Sequence, residues 1–468
     1  MFKEEYNDEL LQLIERYEDM VSGENASVFE QEDFEQIIEF YETKQEFDKA
    51  LEVVERGIVQ FPYSSLMLTK KAQILFDTKL CEQALDVLDQ ALIYDPSELS
   101  IYLLKSDIFN YLGEYHTSIE ILKIAQQHAD RDNMSDLYLE MADVYEEWGK
   151  QQRAYDYVKK SLVADPSNEE SINRIWFLVE LLENYEDSIK FHEQIIDLVP
   201  YSYLAWYNLA NAYYSLNLYE KSIENYKYVI AINEDFEYAY RDCGEAYFRI
   251  GNYHAAIEYY QSAMDLSKPT EELYFSIGIC YEKLNVLNDA KYFYKKSIRI
   301  DPNYSQAYYR LGETYKLEYR WKNAVNVLSK AIKIDKNESE YYFALGEAYL
   351  NLQEYDYAIN AFKNAIKLKD NYLNAWKMLA KSYFDYGMVK EAGDIMDTAS
   401  TKIFESAELL YLRATYLFAS GNNKEALIVL EDALSSDYNL YHIVFDTLPY
   451  LEKNNEIVTL IEQYKSNI

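Results

Sequence analysis

The chain has 468 residues, 49% of them hydrophobic, with only 12 glycines and 7 prolines, so it is much longer than one compact core and is punctuated for long helices with short turns. Its 81 acidic and 45 basic residues give a formal net charge of -36. That excludes nucleic acid as the main ligand and disfavours anionic membrane surfaces, because both kinds of binding rest on lysine and arginine.

In chain order, residues 4–21 are predicted to form a helix with Leu10, Ile14, Tyr17 and Val21 on one face and Glu4, Glu5, Asp8 and Glu9 elsewhere. It reads as a cap over the first unit of a repeat array that starts at residue 31, since a helix lying on a membrane would carry a basic polar face. The stretch SGENASVFE, 22–30, is the connecting loop. The opening charges interrupt any signal-peptide core, and no 18-residue apolar run occurs later in the chain, so a soluble cytoplasmic protein is expected. Cys81, Cys243 and Cys280 are an odd number without CxxC spacing, which fits a reducing compartment.

From residue 31 the sequence repeats itself. LAWYNLANAYYSLNLYEKSIENY, YAYRDCGEAYFRIGNYHAAIEYY and ELYFSIGICYEKLNVLNDAKYFY each begin 34 residues after the one before. Repeat starts fall at Gln31, Ser65, Leu99, Ser135, Glu169, Tyr203, Glu237, Glu271, Ser305, Ser339, Leu373 and Ala407, making 12 repeats with one step of 36. Within each repeat apolar residues at helical spacing alternate with small ones. The eighth position is small in ten repeats, Ile38 and Trp176 being the exceptions, and the twentieth is Ala or Ser throughout. Small residues mark the close approach of two helices, and large ones at the fourth and eleventh positions, such as Trp206 with Tyr213 and Tyr308 with Tyr315, fill the remaining space. Most of the fifty tyrosines are accounted for in this way: a ring with a hydroxyl at its tip suits a half-buried helix seam. Turn signals such as LGEY at 112–115 and IGNY at 250–253 close the hairpins, and prolines such as Pro96, Pro166 and Pro302 close repeats.

This pattern resembles the tetratricopeptide repeat family over residues 31–440. The resemblance implies an all-α, right-handed superhelical solenoid of antiparallel helix pairs, with the first helix of each pair lining a concave groove. The expected organisation is a capping helix and loop at 1–30, repeats one to three at 31–134, repeats four to twelve at 135–440, and a degenerate capping hairpin at 441–468 with Leu448, Leu451, Leu460 and Tyr464 as its apolar side. Trp176 at a close-approach position and the two extra residues within HADRDNMSD predict altered geometry between about 128 and 200, with ordinary drift of a tolerant repeat as the alternative.

No chemistry-bearing constellation emerges. The five histidines are scattered, no His/Cys cluster has metal-ligand spacing, and GxxxxGK[ST], GxGxxG and GxSxG are missing. No catalytic residue, metal or cofactor is assigned, and the expectation is a non-enzymatic scaffold or adaptor. In the family the groove is lined by the second, fifth, ninth, twelfth and thirteenth positions of the first helix. In repeats six to twelve the fifth position carries Tyr207, Arg241, Phe275, Tyr309, Phe343, Lys377 and Tyr411, and the twelfth includes Tyr214, Phe248, Leu350, Phe384 and Phe418, with Glu245, Glu313 and Glu347 among them. If open, these positions form an aromatic, acidic groove for a protein or peptide segment carrying apolar and basic residues. The competing reading is that neighbouring repeats bury the rings. A regulatory subunit or sensor controlling a bound enzyme or transcription factor is the alternative function, and self-association is a third.

Overall fold

The computed structural model describes residues 8–23, 28–403 and 406–465, and all regular structure among them is helical. Residues 4–7 of the expected cap helix, 24–27 of the loop and 466–468 of the terminal segment lie outside the described residues. The chain divides into two compact units, Met1–Glu234 and Asp235–Ile468.

The first unit contains α1 (Asp8–Ser22) and the hairpins α2 (Gln31–Thr43) with α3 (Phe47–Gln60), α4 (Ser65–Asp77) with α5 (Cys81–Tyr94), α6 (Leu99–Tyr111) with α7 (Tyr115–Ala125), α8 (Met134–Glu147) with α9 (Gln151–Ala164), α10 (Glu169–Leu182) with α11 (Tyr185–Leu198), and α12 (Tyr203–Ser215) with α13 (Tyr219–Ile232). The second contains α14 (Glu237–Arg249) with α15 (Tyr253–Leu266), α16 (Glu271–Lys283) with α17 (Leu287–Ile300), α18 (Ser305–Leu317) with α19 (Trp321–Ile334), α20 (Ser339–Asn351) with α21 (Tyr355–Leu368), α22 (Leu373–Asp385) with α23 (Val389–Lys402), and α24 (Ala407–Ala419) with α25 (Asn423–Ser436). It closes with α26 (His442–Thr447) and α27 (Asn455–Lys465), separated by a 3-10 helix at Pro449–Lys453.

One local device makes each hairpin. The fifteenth residue of the repeat takes a positive φ, as at Gly113, Asn217 and even Tyr319. The next N–H then donates back to the carbonyl of the eleventh residue: Glu114 to Phe109 at 2.8 Å and Arg320 to Tyr315 at 2.9 Å. This satisfies the ends of the first helix and reverses the chain.

The two helices are then locked by a small residue facing a large one. An added Cβ at Gly244, Gly278, Gly312 or Gly346 would stand within 2.8 Å of the side chain of Tyr260, Tyr294, Leu328 or Phe362 respectively. Those partners all sit at the twenty-fourth position, which is fully or almost fully buried in every repeat. The eighth position is therefore a slot, and the twenty-fourth residue is what fills it.

At the start of the first unit, Leu13, Ile14 and Tyr17 of α1 are buried against Phe34, Ile37 and Ile38 of α2, while Val21 stays exposed. Repeat five is built differently. The backbones of α10 and α11 come close at few points, unlike those of the other hairpins. Trp176 fills the slot position itself, 6.4 Å from the ring of Tyr185, and the twenty-fourth residue is the fully buried His192. A bulky residue in the slot leaves no room for a large partner, so the helices part. A polar bridge crosses the gap: the Asn208 amide donates to the Ile172 carbonyl at 2.7 Å and lies 3.3 Å from His192 Nε2.

At the end of the second unit, Leu448 and Leu451 are buried, but in the last helix Ile457 and Ile461 point inward and Leu460 and Tyr464 are only partly covered.

Candidate partner-binding face of the second unit

The first helices α18, α20, α22 and α24 lie side by side, and their face gathers rings. Tyr309 of α18 stacks on Tyr341 of α20 with centroids 4.9 Å apart. Phe343 of α20 is flanked by Phe362, at 5.7 Å, and by Tyr372, at 5.1 Å. Phe275 of α16 repeats the arrangement between Tyr294, at 5.8 Å, and Tyr304, at 5.2 Å. Phe275 and Phe343 thus lean on a twenty-fourth-position ring behind them and on a ring from the start of the following repeat. Phe275, Tyr309 and Phe343 are half-buried.

Carboxylates surround these rings. Burial, followed by the charges of Glu340, Glu347 and Glu313, pushes the Tyr372 hydroxyl up to about 12. Burial and then Glu313 raise that of Tyr309 as well. Both phenols therefore stay protonated and able to donate at neutral pH. The acidic groups are not uniformly free: Lys316 of α18 is paired with Glu313 at 2.8 Å and also with Glu347 of α20. Burial alone would lower the Lys316 ammonium, but the two glutamates outweigh it and hold its pKa above the ordinary value. Behind this face, buried tyrosines send their hydroxyls to acids on the first helices, Tyr260 to Glu245 at 2.9 Å and Tyr294 to Glu282 at 2.6 Å.

The other expected residues divide. Arg241 is exposed, with its guanidinium 5.1 Å from the Tyr238 ring and 3.0 Å from Asp242. Phe248 is half-buried beside Tyr253, Phe384 lies 5.4 Å from Tyr416, and Lys377 is paired with Glu408 of the next first helix. Tyr207 and Tyr214 belong to the first unit, where they pack 5.8 Å from Tyr226 and 5.3 Å from Tyr219. Two residues must be corrected. Tyr411 is fully buried and Phe418 nearly so, in a core with Val444 of α26 and Leu448. The chain beyond repeat twelve folds onto α24, and Tyr411 is tied in by a 2.8 Å bond from its hydroxyl to the Asp437 carbonyl. Both are core residues.

Tyr304, Tyr341 and Tyr372 belong to this face although they stand at neither the fifth nor the twelfth position, and Lys316 is a cation at the twelfth, where most repeats of this unit carry an apolar residue. A signal did exist. The residue before each first helix is its N-cap, and Ser64, Asn168, Ser202, Thr270 and Ser406 accept a backbone N–H there. Tyr304 and Tyr372 occupy the same place without any capping bond. A ring where a small polar residue serves the helix better indicates another use for the side chain. Tyr372→Ser is expected to leave the urea-unfolding free energy of the second unit within about 1 kcal/mol of wild type, because a new cap offsets the lost ring contacts.

Family models match much of this region. One described as tetratricopeptide repeat covers residues 243–270 and 271–304, another 293–325, and a model described as TPR repeat covers 210–251. A model described as anaphase-promoting complex, cyclosome, subunit 3 covers 317–399. These matches fall on consecutive helical hairpins of the array. The chain is a tetratricopeptide-repeat protein. Solved structures similar to this repeat protein include the C-terminal part of a repeat-containing protein from Cytophaga hutchinsonii, at 17% identity over 52% of this chain and 99% of that one, with a TM-score of 0.46. A repeat protein from Parabacteroides merdae is 15% identical over 53% and 99% of the two chains, at 0.39. A chain of the APC/C hetero-tetramer Cut9–Hcn1 is 15% identical over 90% and 94%, at 0.38. No curated protein sequence matches this chain. Among the described residues no helix of this repeat protein is long and apolar enough to cross a membrane.

Proposed function

We propose that this tetratricopeptide-repeat protein is a scaffold or adaptor without chemistry of its own, which holds a peptide segment of a partner protein on the first-helix face of its second unit. The observation that carries the reading is the cluster of Phe275, Tyr309, Phe343 and Tyr372, half-buried rings bordered by Glu313, Glu340 and Glu347. Rings already fixed on one side lose little freedom when a ligand covers the other, which makes them efficient anchors. With Lys316 engaged by two glutamates, the remaining acidic excess favours a ligand that combines apolar and basic side chains. We place the protein in the cytoplasm, consistent with three buried free cysteines.

Affinity purification from the native cell, comparing wild type with Tyr309→Ala/Phe343→Ala, tests this. The double variant is expected to keep its helicity and to lose at least one partner selectively; an identical partner list would remove the site from this face.

A further inference from the structure

The first unit contains a cavity of about 670 Å³ where α9 and α11 meet the start of α8. Its wall includes Arg131, Lys159 and Lys160 with a single carboxylate, Asp156, and the rings of Tyr138 and Phe191. Three cations to one acid inverts the balance of a chain with 81 acidic and 45 basic residues. Both irregularities of the repeat array contribute. Arg131 lies in the one connection that is two residues longer than the period, and Phe191 comes from the second helix of the parted repeat five.

The cations are not equally engaged. Lys159 is paired with Asp187 at 2.8 Å and lies 4.8 Å from the Phe191 ring. Lys160 is held over the Tyr157 ring at 3.9 Å, with no carboxylate partner among the described residues. Arg131 makes no ion pair among the described residues, and the neighbouring Asp130 is turned to the backbone N–H groups of Asp132 and Asn133, at 3.1 and 3.0 Å. Two charges therefore remain for a ligand, beside aromatic and aliphatic wall.

We propose that this cavity is a second docking site, independent of the face of the second unit, which takes an acidic peptide segment with an apolar side chain from a partner protein. The carboxylates meet Arg131 and Lys160, and the apolar side chain lies against Tyr138 and Phe191. A nucleic acid is disfavoured, because two free cations can neutralise only a few phosphates of a long polyanion and the chain as a whole carries a net charge of -36. A short acidic segment held at the cavity feels charges farther than about 8 Å away only weakly at physiological ionic strength.

The test is fluorescence anisotropy of the full chain with a labelled peptide of sequence Glu-Glu-Leu-Phe-Glu-Glu. Wild type is expected to bind it, Arg131→Glu/Lys160→Glu to bind at least tenfold more weakly, and Tyr309→Ala/Phe343→Ala to match wild type. Unchanged affinity in the charge-reversal variant, or no binding by wild type, would overturn the proposal. So would full displacement of the peptide by millimolar inorganic phosphate at constant ionic strength, which would reassign the cavity to a small anion.

Discussion

Gly346→Leu is expected to destabilise the second unit by more than about 3 kcal/mol and to abolish cooperative unfolding of its central repeats. An added Cβ at this position would stand 2.6 Å from Phe362, a fully buried ring. Two effects compete at such a glycine. Replacement by alanine gains about 1 kcal/mol of helix propensity, whereas overpacking costs about 1–3 kcal/mol and more for a longer side chain. Overpacking wins at 346. At Gly393 of α23 an added Cβ meets nothing within 4 Å, so Gly393→Ala is expected to stabilise by about 0.5–1 kcal/mol. Urea unfolding followed by circular dichroism distinguishes the two. Equal effects at both sites would mean that the slots do not hold the hairpins together.

The parted hairpin of repeat five is expected to make the first unit acid-sensitive through His192. Burial pushes this imidazole down to about 4, although its hydrogen bond to the Ser188 carbonyl pulls the other way, and Lys159 lowers it further. The chemistry agrees: Nδ1 lies 2.8 Å from that carbonyl and so carries the proton, and Nε2 faces the Asn208 amide N–H. A second proton on Nε2 would point at a donor and find no acceptor. In the unfolded chain the group titrates near 6.5. Between these two values the unfolded state binds a proton that the folded state does not. The contribution of His192 is thus fully present above about pH 6.5 and is lost as pH falls, by about 3 kcal/mol at pH 4. His192→Leu removes this dependence, so the difference in unfolding free energy between pH 7 and pH 4.5 is expected to be about 2–3 kcal/mol smaller in the variant. The same pH difference in both proteins would show that His192 is not buried neutral.

The hairpins were legible in the sequence because the slot is a steric requirement. Ala, Ser or Gly must stand where helices touch, and this recurs in register at Ala210, Gly244, Gly278, Gly312 and Gly346. The special nature of repeat five was legible for the same reason, through Trp176. The polar bridge was not, because His192 and Asn208 stand sixteen residues apart with no spacing rule joining them. For the candidate face, position alone indicated Phe275, Tyr309 and Phe343. It failed for Tyr411 and Phe418, since the same repeat position is open within an array and covered where the terminal segment folds back. It also missed Tyr304 and Tyr372, which reach the face from cap positions.

The central claim is that a partner lies on the rings of α18 and α20. The most direct measurement is photo-crosslinking in cells with p-benzoylphenylalanine placed at Tyr309, and separately at Tyr357, a 61% exposed residue of the second helix α21. A partner protein crosslinked from position 309 and not from 357 is the predicted result. Crosslinking from 357 alone, or from neither position while the partner still co-purifies, would contradict it.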